Sequence, residues 1–223
     1  MLEGARRIHI VGGPGSGKTT LAAALASHFG YTAHHLDNVA LTDGAASDFR
    51  PKRALALRKR DVARLSDGPA WVTEGSYLWW TEVLFEHADI IVWLDTPWPI
   101  AARQIVSRHA RDYISDIAQA PHLQLRLRAL RYPHVRSLIA FLRWSRHYYQ
   151  APAATTLDVN PDDMLALTRA TTSTYLERFG PKVRRIVEAD PTIAIADLER
   201  GMWQRSAGLL IEPNTPAQGL AGS

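Results

Sequence analysis

Gly12-Gly13-Pro14-Gly15-Ser16-Gly17-Lys18-Thr19-Thr20 is the stretch that decides the fold. It satisfies G-x-x-x-x-G-K-[ST] at every fixed position, the pattern of a loop that wraps phosphate. Before it runs Arg7-Ile8-His9-Ile10-Val11, short, apolar and β-branched as a buried strand requires. After it, Thr19 to Phe29 is rich in helix formers, and Gly30 is placed to end the helix. A strand, this loop and a helix in that order supply the context the pattern needs.

The chemistry explains the residue types. Backbone N–H groups can close around a phosphate chain only where side chains are absent, and the glycines provide that. The helix opening at Lys18 directs its free N–H groups and positive dipole end at the same anion. Gly12, Gly13, Pro14, Gly15, Ser16, Gly17, Lys18, Thr19 and Thr20 are therefore the candidate nucleotide contacts. Lys18 is expected to reach the β and γ phosphates, and the Thr19 hydroxyl to ligate Mg²⁺. The cofactors implied are ATP and Mg²⁺.

The 223 residues suffice for one well-buried α/β domain carrying an insertion. The longest apolar runs, Ala88–Leu94 and Leu138–Leu142, are too short to cross a bilayer, so no membrane partner is expected. The first residues lead directly into the first strand and do not resemble a signal peptide. With no cysteine, disulfides and thiolate metal sites are excluded. An ATP-dependent site implies the cytoplasm. The net charge of +4 is unevenly spread: Thr96 to Gln150 holds nine arginines against Asp112 and Asp116. A guanidinium fork suits phosphate and carboxylate ligands. Lysine is scarce throughout, so part of this bias is a general preference for arginine.

In chain order, Thr32 to Asp37 reads as a second strand ending in a carboxylate, and 38–49 as a loop. Pro51 to Leu65 reads as a basic helix stopped by Asp67-Gly68-Pro69. Ala70 to Thr73 is a third strand running into Glu74-Gly75, and 78–87 is helical. Ile90 to Leu94 is a fourth strand, apolar on both faces. Ile100 to Tyr149 forms two or three helices broken near Ala120-Pro121 and Tyr132-Pro133. Pro152 begins a linker, and Asp163 to Phe179 is a helix. Lys182 to Val187 is a fifth strand, and Ile195 to Ser206 the last helix. Strands alternating with helices predict a parallel sheet with helices on both faces and ligands beyond the carboxyl strand ends. The predicted architecture is an α/β three-layer sandwich of the P-loop NTPase type, with a five-stranded parallel sheet and a helical lid insertion. Residues 1–97 and 160–206 are expected to form one core, 98–150 the arginine-rich lid, and 207–223 a disordered tail.

The ordered set Gly12–Thr20, Leu36-Asp37, Trp71-Val72-Thr73-Glu74-Gly75-Ser76-Tyr77 and Trp93-Leu94-Asp95-Thr96-Pro97, followed by spaced arginines, resembles the P-loop kinases related to adenylate and shikimate kinase. Within them it is most similar to the adenylate-kinase-like family labelled topology modulation protein. The likeness covers residues 7–111 and, weakly, 173–200. It implies that Glu74 holds Mg²⁺ through water and that Asp37 orients the acceptor hydroxyl. It also implies that Arg103, Arg108 and Arg111 clamp the nucleotide when the lid closes. Lys18, Asp37, Glu74 and Arg108 are then the candidate catalytic residues, with Thr19 and Glu74 at the metal. Asp95 is read as capping the helix after it. Arg143 and Arg146 either reach back towards the nucleotide or are solvated.

Nucleoside-monophosphate kinases of this type place an arginine just after the acid-glycine pair. Here Ser76-Tyr77-Leu78-Trp79-Trp80 follows, with no basic residue. An acceptor other than an ordinary nucleoside monophosphate is therefore expected beside ATP, an uncharged or hydroxyl-bearing metabolite or a nucleoside- or nucleotide-like molecule, unless Arg50, Lys52 and Arg53 supply the missing charge. Tyr77, Trp79, Trp80, Trp71 and Trp98 are read as packing rather than as an acceptor pocket. His34 and His35 read as strand residues without metal partners. A rival class is a nucleotide-gated nucleic-acid binder, motivated by the basic insertion, but no DNA-binding motif is present.

Overall fold

The computed structural model describes residues 5–42, 51–119, 133–154, 160, 162–187 and 190–206. The elements are β1 (Arg7–Gly12), α1 (Lys18–Phe29), β2 (Ala33–His35), α2 (Leu36–Ala40), α3 (Leu55–Ser66), β3 (Trp71–Glu74), α4 (Glu82–His87) and β4 (Ile90–Leu94). They continue as α5 (Trp98–Gln119), α6 (Pro133–Gln150), α7 (Arg169–Glu177), β5 (Val183–Ile186) and α8 (Pro191–Ser206). The strands form one sheet in the order β2-β3-β1-β4-β5. Every pairing is parallel, with Ile8 opposite Val72 and Ile90, and Ile91 opposite Val183. This is the predicted α/β architecture.

Alternation along the strands builds two cores. Ile8 and Ile10 of β1, Val72 of β3 and Ile90, Val92 and Leu94 of β4 face α1 and α8, where Leu21, Leu25, Ala194 and Leu198 cover them. Val11, Trp71, Ile91 and Trp93 face the other way, onto Val62, Leu84, Phe85, Tyr148 and Tyr175. A sheet buried on both faces accounts for the unbroken apolar run of β4. Helices above and below leave only the strand ends open. The loop after β1 lies between neighbours reached by opposite crossovers, the place where such sheets bind ligands.

Several boundaries differ from the sequence reading, each for a local reason. β2 stops at His35 and the chain turns at once into α2, so Asp37 lies in a helix's first turn. α3 begins at Leu55 because Lys52 is held in an antiparallel bridge with Leu41. Residues 78–81 are not helical; α4 begins at Glu82, after the Thr81 hydroxyl has bonded back to the Tyr77 carbonyl. α7 begins at Arg169 rather than Asp163, because the Thr168 hydroxyl caps it by accepting from the Thr171 N–H. α8 begins at Pro191, four residues early, with the Asp190 carboxylate accepting from the Thr192 and Ile193 N–H groups. The expected breaks near Ala120-Pro121 and Tyr132, most of the 38–49 loop, Arg50, the arginines at 126, 128 and 131, and the tail 207–223 lie outside the described residues.

Candidate active site

The glycine loop is held from behind by its own carbonyls. Ser76 Oγ donates to the Gly12 carbonyl at 2.7 Å, Tyr149 Oη to Pro14 at 2.9 Å and Thr96 Oγ1 to Ser16 at 3.1 Å. Lys18 Nζ donates to the Gly13 carbonyl at 2.9 Å. With these acceptors engaged, the N–H groups that open α1 have no helical partner and are left for an anion. Gly15 sits at φ 73°, and a Cβ there would lie 2.6 Å from the Ala101 carbonyl. At Gly13 a Cβ would lie 2.4 Å from the Tyr148 ring. Crowding excludes larger residues from both positions, and at Gly15 the left-handed backbone does so as well.

A cleft of about 670 Å³ opens in front of the loop. Gly15, Ser16, Gly17, Lys18, Thr19 and Thr20 form one wall, and Arg103, Arg108 and Arg111 of α5 line the other. All three guanidinium-bearing residues are exposed. α5 leaves the end of β4 beside the loop, so residues 90 positions from it in sequence become its cover. Arg143 and Arg146 do not line this cleft; both are exposed on α6, and Arg146 Nε donates to Gln150 of its own helix at 2.8 Å.

The acids meet the loop from the β2–β3 side. Thr19 Oγ1 donates to Glu74 Oε1 at 3.1 Å, bringing together the two residues expected at a metal. Glu74 is buried at the end of β3. His35 Nδ1 contacts the same Oε1 at 2.9 Å, a partner that the strand reading of His35 did not foresee. Among the described residues no group of three or more His, Cys, Asp or Glu side chains forms a metal cage. A hydroxyl, one carboxylate and open solvent fit magnesium, which keeps several waters beside substrate phosphates. Ser16 Oγ, buried within the loop, has no hydrogen-bond partner among the described residues. This orphan hydroxyl also fits a loop that closes on an anion.

Burial pulls the Lys18 pKa below the ordinary lysine value; the charges of Glu74 and Asp37 oppose this and that of Arg108 reinforces it. Lys18 thus feels both acids and the covering arginine at once. Asp37 accepts a hydrogen bond from Tyr77 Oη at 2.8 Å. Burial, and then the Asp37 charge, push the Tyr77 pKa up, so this phenol remains a donor.

Of the cations considered for an acceptor, Lys52 and Arg53 are engaged internally, and Arg50 lies outside the described residues. Arg53 donates to the Val39 carbonyl and to Asp61, and Lys52 to the Asp162 carbonyl. Arg58, 2% exposed, pairs with Asp162 at 2.8 Å and lies over the Trp80 ring. The aromatic residues scatter: Trp71 and Trp80 are core, whereas Trp98 packs on Tyr149.

Asp95 departs from its reading as a helix cap. Both its oxygens are taken by arginines, Arg169 through Nε and Nη2 and Arg185 through Nε and Nη2. Burial raises its pKa, but these bonds and charges outweigh it and hold the carboxyl below the ordinary range. Nothing local signals this: the partners lie 74 and 90 residues away.

A parallel sheet in this order, a phosphate loop at its centre, an acid at the end of β3 and an arginine-bearing helix over the cleft define a P-loop protein built like the small-molecule kinases. Comparison with known proteins finds partial matches. A family model described as an AAA domain matches residues 7–65, which hold the loop and the elements up to α3. Cytidylate kinase of Halobacterium salinarum is 33% identical over 116 residues, 45% of this chain and 57% of that protein. An uncharacterized Bacillus subtilis protein, YqaC, is 27% identical over 113 residues, 50% of this chain and 61% of its own length. The chain thus spans about three fifths of these curated relatives. A gluconokinase from Sinorhizobium meliloti aligns over 90% of this chain and 95% of its own, at 17% identity and a TM-score of 0.45.

Proposed function

We propose that this protein is an ATP- and magnesium-dependent phosphotransferase whose acceptor is a small hydroxyl-bearing molecule. One observation carries the reading: Thr19 and Glu74, expected at one metal, meet at 3.1 Å, and Thr19 lines, with Lys18, the cleft that Arg103, Arg108 and Arg111 line opposite. Magnesium, when bound, supplies positive charge that lowers the cost of charge developing on a transferring phosphoryl group. Thr19 and Glu74 would hold it, Glu74 through water. The loop N–H groups bind the phosphates, and Lys18 leaves the Gly13 carbonyl for the β and γ oxygens. Arg103, Arg108 and Arg111 close from above, excluding water and adding charge where the transition state needs it. Asp37, fixed by Tyr77, accepts the proton of the acceptor hydroxyl. Catalysis of this kind is positioning plus electrostatics.

The absence of a basic residue in Ser76–Trp80, and the internal engagement of Lys52, Arg53 and Arg58, favour an acceptor without a phosphate of its own. The similarity to a cytidylate kinase makes the opposite case. Turnover of ATP against nucleosides, sugars, alcohols and CMP decides between them. Product formation with a hydroxyl compound, lost in Asp37→Asn, is expected; fast turnover of CMP alone would remove the acceptor assignment.

A further inference from the structure

On the β4–β5 side of the sheet, a second cavity of about 420 Å³ opens away from the nucleotide cleft. Its walls include Trp93, Tyr149, Arg169, Ser173, Thr174 and Arg185. Sheet order separates it from the acids: Glu74 ends β3, and Arg185 lies on β5, three strand spacings or roughly 14 Å across. It shares no lining residue with the loop cleft.

Two guanidinium groups converge on this cavity over one carboxylate. Asp95, with its side chain 1% exposed, anchors both, while the side chains of Arg169 and Arg185 remain 44% and 55% exposed. The charges do not balance: two cations share a single anion, and no acid is among the described residues lining the cavity. Each arginine spends its Nε and Nη2 on Asp95, which leaves its Nη1 for another acceptor. Arg185 is further held by lying 5.4 Å over the Trp93 ring. Side chains locked by a buried anchor lose little freedom on binding, which makes a fork pair an efficient oxyanion receptor. The hydroxyls of Ser173 and Thr174 add neutral donors at the rim.

We propose that this cavity is a second anion site, taking a small phosphate- or carboxylate-bearing molecule distinct from the nucleotide in the loop cleft. Its walls also hold the loop: Tyr149, in the cavity lining, donates to Pro14, and Thr96, adjacent to Asp95, donates to Ser16. An occupant is therefore placed to stiffen or shift the phosphate loop.

Inorganic pyrophosphate, titrated calorimetrically without divalent cations, tests the site independently of turnover. The unmodified chain is expected to bind two equivalents and Lys18→Ala one, at the second site. Thr174→Glu places a carboxylate at the cavity rim without touching the Asp95 pairs; it should weaken the second site roughly tenfold or more, and Lys18→Ala/Thr174→Glu should bind neither equivalent. Arg185→Gln, which keeps the Arg169–Asp95 pair, should show the same loss. A single equivalent in the unmodified chain that Lys18→Ala abolishes, a second equivalent indifferent to Thr174→Glu and Arg185→Gln, or Thr174-sensitive binding of adenosine but not pyrophosphate would each overturn the proposal.

Discussion

Glu74 carries the sharpest local claim, because one oxygen faces Thr19, His35 and the Lys18 field together. Glu74→Gln preserves shape and hydrogen bonding but removes the charge. The magnesium concentration that half-saturates nucleotide binding is expected to rise roughly 10- to 100-fold, as for other residues that act on a metal through an intermediary. Nucleotide affinity without magnesium should stay within about twofold. An unchanged magnesium requirement, read by calorimetry, would place the ion elsewhere. His9 makes a separate prediction about pH. Burial, only partly opposed by its bond to Thr73, pulls its pKa from 6.5 to about 3. The folded chain therefore keeps it neutral where the unfolded chain takes up a proton. Its contribution is complete above pH 6.5 and is lost as pH falls towards 3. Between those limits stability should fall by up to about 1.4 kcal/mol per pH unit, and His9→Gln should flatten that slope. Denaturant midpoints at a series of pH values read this directly; parallel slopes would rule it out.

At the scale of elements, the join between β4, α7 and β5 rests on Asp95. Its folded pKa is depressed, so its stabilisation is present above the unfolded carboxylate value of about 3.9 and lost as pH falls through the folded value. Asp95→Asn should cost roughly 2–3 kcal/mol at neutral pH, the loss of charged hydrogen bonds to two arginines that stay half in water. That corresponds to a drop in Tm of about 5–10 °C for a domain of this size. A change under 1 °C would mean that the two arginines are held by other contacts. This join also marks the limit of what is legible in the sequence. The loop, its strand and its helix are legible because each depends on neighbours within a few residues. Glu74 follows from a strand end, whereas Asp37, expected at one, lies in the first turn of α2; Arg103, Arg108 and Arg111 follow from the resemblance. Arg169 and Arg185 carry no such mark: one opens a short helix, and the other sits on an edge strand where arginine is ordinarily solvated. Tyr149 meets Pro14 across 135 residues, and no local pattern encodes that contact.

For the whole molecule, the sheet sorts the proposed site by strand. β1 presents the phosphate loop, β2 and β3 bring the acids, and β4 sends out α5 with its arginines. None of the described helices is long and apolar enough to cross a membrane. The arrangement stands or falls on phosphoryl transfer in the central cleft. The direct measurement is transfer of the γ-phosphoryl group of ATP to a hydroxyl acceptor, followed by product mass with the unmodified chain and Lys18→Ala side by side. Transfer that requires magnesium and falls at least 10²- to 10³-fold in Lys18→Ala, with the fold intact by circular dichroism, is the expected result. Undiminished transfer in Lys18→Ala, or magnesium-ATP that fails to bind the unmodified chain, would contradict the account.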